Sequence, residues 1–295
     1  MYHAGCIQPI IRSANMREDI KRNVQRCCEL IDAAPQFSIA GAKGSYKNWW
    51  APFKLLSFPE FFVQGHEGNW PYQHYIDNVL IELDGPELEP IRKKAMEHDI
   101  YIAGCALERD PEWKDTDYFF NTHFIIAPTG EIVHKYRKLT VAAHFELSCS
   151  PHDIYDEYVA KYGDNLSTFL PVTDLDIGKI GTTTCMDGHF PENYRALGQQ
   201  GAEVILHPVL VDPLLTEPTD MWSCINRLRA WENVCYTVCS SWGAIEGSLR
   251  PENDQMDEYH LPGTVRIFLP HILQRAGDLL DYLQLDHARN QLYHQ

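Results

Sequence analysis

The chain has 295 residues, 44% of them hydrophobic, and a formal net charge of −16. That charge argues against the basic footprint that nucleic-acid binding needs, and against docking on an anionic membrane. No run of about 18 apolar residues marks a membrane-spanning helix.

The nine cysteines are odd in number and scattered, which fits reduced thiols better than a disulfide framework. The opening MYHAGCIQPI lacks the basic and apolar parts of a signal peptide. The expectation is one cytoplasmic domain over 1–295 with a sizeable core.

HAGCIQPII reads as one strand. Asn15 with Glu18 three residues on resembles a capping box, and Ile20, Val24, Cys27, Cys28 and Ile31 share a helical face. Residues 34–50 read as a loop. PFKLLSF is a buried strand running into Pro59-Glu60. A helix over about 86–98 leads to the strand DIYIAGCALE. YFFNTHFIIAP and EIVHKYRKL form a hairpin around Thr129-Gly130.

SCSPHDIYDEYVAKYGDN is a long irregular connection. TDLDIGKIGTTT is a second hairpin turning near Gly178. Pro191 opens the helix PENYRALGQQ and Gly201 closes it. AEVILHP is a short buried strand. DMWSCINRLRAWEN is amphipathic, with Met221, Ile225 and Leu228 on one face and Trp222 beside them. VCYTVCSS is another strand. Residues 247–260 read as a loop, GTVRIFLPHIL as a strand or hairpin, and the tail after Asp278 as helical. The order mixes β-α units with hairpins, which predicts helices packed on mixed sheets.

Three reactive side chains fall at strand ends: Glu60, Lys138 and Cys185. Strand ends are where α/β folds build sites. A cysteine between a strand and a helix is exposed by the turn, and the helix N-terminus favours thiolate and oxyanion. The same cysteine could instead pack in the core. Cys185, His189 and His207 could also be read as zinc ligands, although the spacing lacks a second clean pair.

A carboxylate is a poor base for a thiol in water, where the transfer is uphill by roughly 6 kcal/mol. Burial would raise the Glu60 pKa, and the Lys138 ammonium would lower that of the thiol.

The segments LLSFPEFF, GEIVHKYRKL and GKIGTTTCMDGHFPENYRALGQQGAEVILHP together resemble the carbon–nitrogen hydrolases, or nitrilase superfamily. INRLRAWENVCYTVCSS and the first strand and helix extend the likeness over about 3–245. The resemblance implies a four-layer α-β-β-α sandwich. It implies Glu60 as general base, Lys138 as oxyanion stabiliser, Cys185 as nucleophile and the Met186 backbone N–H as part of the oxyanion hole. Glu146, eight residues after Lys138, matches the additional substrate-positioning glutamate of amidase branches. No metal or organic cofactor is implied.

The expected reaction is hydrolysis of a small linear amide through a thioester, with N-carbamoyl substrates as the alternative. Nitrile-cleaving members usually carry Trp-Glu after the cysteine, whereas this chain has Met186-Asp187-Gly188. That resembles formamidases and aliphatic amidases. A homo-oligomer is implied as well. The segment from about 247 departs from the family pattern, with Pro270-His271 running straight into Ile272. That departure leaves room for a catalytically silent binding protein.

Overall fold

The computed structural model describes residues 2–40, 51–66, 70–142, 146–210, 221–242, 244–245, 259–260 and 266–268. Two five-stranded sheets form the centre. The first comprises β1 (His3–Cys6), β3 (Phe53–Ser57), β4 (Tyr101–Glu108), β5 (Phe120–Ile126) and β6 (Ile132–Arg137) in that order. Its first three strands are parallel and its last two form the expected hairpin. The second contains β7 (Val172–Leu175), β8 (Gly178–Thr182), β9 (Val204–Pro208), β10 (Tyr236–Ser240) and β13 (Arg266–Phe268).

Side chains alternate across each strand, so each sheet has two apolar faces. Leu55, Tyr101, Ala103 and Ile125 of the first sheet meet Ile180, Val204, Leu206 and Val238 of the second in one buried cluster. The opposite face, with Leu56, Ile102, Phe124 and Ile126, packs on Ile20, Val24 and Ile31 of α1 (Arg17–Ala40) and Ile91 and Ala95 of α3 (Glu89–His98). The outer face of the second sheet packs on Tyr194 and Leu197 of α6 (Pro191–Gln199) and on Trp222 and Ala230 of α7 (Met221–Asn233). The layers run α-β-β-α, as expected.

Several local expectations need correction. The strand read over 3–11 is split. β1 joins the first sheet, whereas β2 (Ile10–Ile11) pairs with β11 (Ala244–Ile245), itself paired with β12 (Tyr259–His260). Asp19, not Glu18, caps α1: its Oδ2 accepts from the N–H groups of Asn15 and Met16 at 3.0 and 3.2 Å. The loop read from Ala34 is helical as far as Ala40, with Pro35 inside the helix. Proline withholds a single N–H there, and the helix runs past it.

The irregular connection contains α4 (Tyr155–Tyr162) and α5 (Leu166–Phe169), bounded by Gly163 and capped by Asn165. A short helical segment also spans α2 (Tyr72–His74) and Tyr75–Val79. The expectations for 41–50, for the turn at Pro270-His271 and for the tail lie outside the described residues, as does all of 247–258.

The largest reversal concerns α7. Met221 and Leu228 are exposed, whereas Trp222, Ser223, Asn226, Arg229, Ala230 and Asn233 are buried. The inward face is mostly polar because it is hydrogen-bonded. Asn226 contacts His207 and Tyr194, Arg229 reaches the His189 carbonyl and Asn233 bonds Arg229. Buried polar groups that find partners replace an apolar stripe at little net cost.

Candidate active site

Glu60, Lys138 and Cys185 follow β3, β6 and β8, and the fold brings these strand ends together. Because β6 runs antiparallel to β5, and β5 antiparallel to β4, the ends of β3 and β6 lie at one edge. Lys138 is 1% exposed, Glu60 1% and Glu146 6%. Lys138 is therefore not a solvated side chain, unlike Lys135 in the same KYRK segment. Its neighbour Arg137 sits 4.3 Å over the Phe120 ring and pairs with Asp110.

Lys138 Nζ donates to Glu60 Oε1 at 2.8 Å and to Glu146 Oε2 at 2.6 Å. Burial alone would depress the ammonium, but Glu146 and Glu60 outweigh it and hold the pKa well above the ordinary lysine range. Burial alone would raise the Glu146 carboxyl. Lys138, with hydrogen bonds from Ser148 and Asn121, instead holds it below its ordinary value. Glu60 is fixed from both halves of the chain. Its Oε2 accepts from the Leu210 N–H at 2.9 Å, and its carbonyl accepts from Trp242 Nε1 at 2.5 Å.

Cys185 opens a 3₁₀ turn, Cys185–His189, with φ of 49°. A non-glycine residue in that region stores about 1–3 kcal/mol of strain. Its carbonyl lies 3.0 Å from His207 Nε2, and His207 Nδ1 lies 2.7 Å from Asn226 Oδ1. Both ring nitrogens of His207 are thereby occupied. Among the described residues Cys185, His189 and His207 do not gather their ligand atoms into a metal-holding group. Burial lowers the His207 pKa to about 4, so the ring is neutral near neutral pH.

The thiol of Cys185 is pushed well above its ordinary range, first by burial and then by the Glu60 charge. Lys138 pulls it down, as expected, but is outweighed.

Met186 follows in the same turn. Asp187 is buried and joins the turn to the end of β6. It accepts from Thr140 N–H at 2.7 Å, Tyr136 Oη at 2.7 Å and Thr184 N–H at 3.1 Å. Burial raises its pKa to about 6 despite these bonds. For a carboxyl with a raised folded pKa, the stabilisation is complete below the unfolded value of about 3.9 and is lost as pH rises through the folded value. Relative to Asp187→Asn, the wild type is expected to lose about 2 kcal/mol between pH 4 and pH 7. Urea midpoints of both proteins across that range check this, and parallel curves would contradict it.

Asn121 was not singled out by the sequence. It sits at the start of β5 and donates from Nδ2 to Glu60 Oε1 at 2.8 Å and to Glu146 Oε1 at 2.7 Å. Ser148 Oγ adds a bond to Glu146 at 2.7 Å. The one available signal was a polar side chain in the buried strand FNTHFII, and Thr122 and His123 share it.

A sandwich with this constellation defines a class, and the comparisons agree with it. The chain belongs to the carbon–nitrogen hydrolase family, which it matches over residues 4–259. It is 30% identical over 232 residues to a formamidase of Photorhabdus laumondii, covering 78% of this chain and 57% of that protein. It is 28% identical to a formamidase of Bacillus cereus over 83% of this chain and 63% of that one. The chain thus spans about three-fifths of the length of these curated relatives.

Among solved structures it resembles Saccharomyces cerevisiae Nit3, of branch 10 of the nitrilase superfamily. The TM-score is 0.63 at 22% identity, covering 89% of this chain and 80% of that one. A mutant amidase of Nesterenkonia sp. AN1 aligns with a TM-score of 0.59 at 18% identity over 95% of both chains. These two likenesses concern the fold. No helix among the described residues is long and apolar enough to cross a membrane.

Proposed function

We propose that this protein hydrolyses the C–N bond of a small linear amide through a thioester on Cys185. The observation that carries the reading is the buried Lys138 ammonium, bonded to both Glu60 and Glu146 beside a strained cysteine turn. The formamidase relatives support amides as the substrate class.

Cys185 Sγ attacks the carbonyl carbon as Glu60 takes the thiol proton. The third N–H of Lys138 and the backbone N–H of Met186 meet the oxyanion. Glu146 orients the amide. Collapse of the adduct breaks the C–N bond, and Glu60 returns the proton to the departing nitrogen. Water activated by Glu60 then hydrolyses the thioester, releasing the acid and restoring the thiol.

Ammonia release from formamide, short aliphatic amides, N-carbamoyl amino acids and nitriles tests this. Turnover of a short amide, with a loss of at least about 10⁴-fold in Cys185→Ala, is expected. Wild-type rates in Cys185→Ala would overturn the mechanism. Turnover confined to nitriles or N-carbamoyl substrates would overturn the substrate class.

Assembly as a homo-oligomer and residence in the cytoplasm belong to the same reading. The first is supported by exposed Leu228 and Trp231 on α7, and the second by nine free cysteines. Sedimentation at a monomer mass would overturn the first, and fractionation outside the cytoplasm the second.

A further inference from the structure

We infer that Asn121 is a positioning residue that sets which oxygen of Glu60 receives the thiol proton and keeps the two carboxylates apart. The inference rests on the hydrolase reading of Glu60 above. Lys138 and Asn121 both bridge the acids. Lys138 spans Glu60 Oε1 and Glu146 Oε2, and Asn121 spans Glu60 Oε1 and Glu146 Oε1. The four side chains close a ring of hydrogen bonds.

Two carboxylates share one ammonium in this ring. A neutral donor placed between them holds one oxygen of each without adding charge.

The ring has a chemical consequence for Glu60. A carboxylate oxygen offers about two lone-pair sites. Those of Oε1 are taken by Lys138 and Asn121, whereas Oε2 accepts from the Leu210 N–H and keeps a site for the Cys185 thiol, which bonds Glu60. The incoming proton is directed to Oε2.

Without Asn121, Oε1 regains an open site next to Glu146. A proton shared between the two acids then becomes favourable, and Glu60 ceases to be an available base at a higher pH than before. The charged and titratable groups facing Glu60 are Lys138 after β6, Glu146 in the following loop, Cys185 in its turn and Cys105 on β4.

The amide orientation is forced, because a carbonyl turned toward two carboxylates would be repelled. Asn121 Oδ1 is left buried without a hydrogen-bond partner among the described residues. A buried acceptor left unpaired is costly, and a residue chosen for packing alone would avoid it. The backbone strengthens the placement, since the Lys138 N–H donates to the Asn121 carbonyl at 3.0 Å.

The test compares Asn121→Ala, Asn121→Asp and Asn121→Gln with wild type, each checked for folding by thermal melting. Two readouts are followed against pH: kcat on the short amide, and the rate of Cys185 alkylation by iodoacetamide. In Asn121→Ala, kcat is expected to fall about 30-fold, and the acid limb of both profiles to move up by about one pH unit. Asn121→Asp adds a third carboxyl and moves the limb further up, whereas Asn121→Gln recovers part of the shift. Acid limbs that stay within about 0.2 pH unit of wild type in folded Asn121→Ala and Asn121→Asp overturn the proposal. Alkylation needs no substrate, so it decides the matter even if no amide is turned over. That second failure would count against the hydrolase reading alone.

Discussion

Replacing Lys138 by methionine is expected to cost about 3–5 kcal/mol of stability at pH 8 and at least about a thousandfold in kcat/KM. Lys138 bonds two buried acids, Glu60 and Glu146, at 2.8 and 2.6 Å. Without it, Glu60 and Glu146 repel one another in a site that water does not screen.

They can relieve the repulsion by sharing a proton. The stability penalty therefore shrinks as pH falls toward 5, while activity does not return, because a protonated Glu60 is no base. Urea midpoints of the variant and wild type at pH 5 and pH 8, with amide turnover at both, check the pattern. A variant as stable as wild type at pH 8 would show that the ion pairs contribute nothing net.

Gly188→Ala is expected to lower kcat by about a hundredfold or more and to destabilise the fold by about 1–3 kcal/mol. A Cβ at Gly188 would lie 2.0 Å from His207 Cε1 and 2.4 Å from Nε2. The ring has little room to retreat. It packs against Trp222 at 4.5 Å and Tyr194 at 5.8 Å and is held by Asn226. The 3₁₀ turn must give instead, carrying Cys185 with it. The double variant Gly188→Ala/His207→Ala should recover part of the lost turnover, since the obstacle is gone. Full activity in Gly188→Ala alone would mean that the turn is not held by this contact.

The strand ends bearing Glu60, Lys138 and Cys185 were legible because buried strands and hairpin turns leave local signals. Glu146 was legible only through family resemblance. Alone, its spacing from Lys138 is that of any surface acid. Asn121 was hidden because its importance arises from register, which sets it opposite Lys138 across the β5–β6 hairpin.

The α7 face was misread for a related reason. Periodicity ranks residues by hydropathy, but Asn226 and Arg229 are buried through partners on other elements. The Asp187-Gly188 pair served as a mark of amide branches. In the structure Asp187 braces the Cys185 turn, and Gly188 makes room for His207.

The anchoring of Glu60 by Leu210 and Trp242 bears on when the protein becomes reactive. A ribosome delivers Glu60 long before Leu210 and Trp242, which hold it. The partners are 150 and 182 positions apart in the chain. Closing such loops is slow relative to forming local hairpins. The first sheet can therefore assemble with Lys138 and Asn121 in place while the cysteine turn is still unpaired. The hydrogen bonds on Glu60 from Leu210 and Trp242 close only when the second half of the chain is in place. A chain stalled before Trp242 carries Glu60, Lys138, Glu146 and Cys185 and lacks one of the anchors of Glu60.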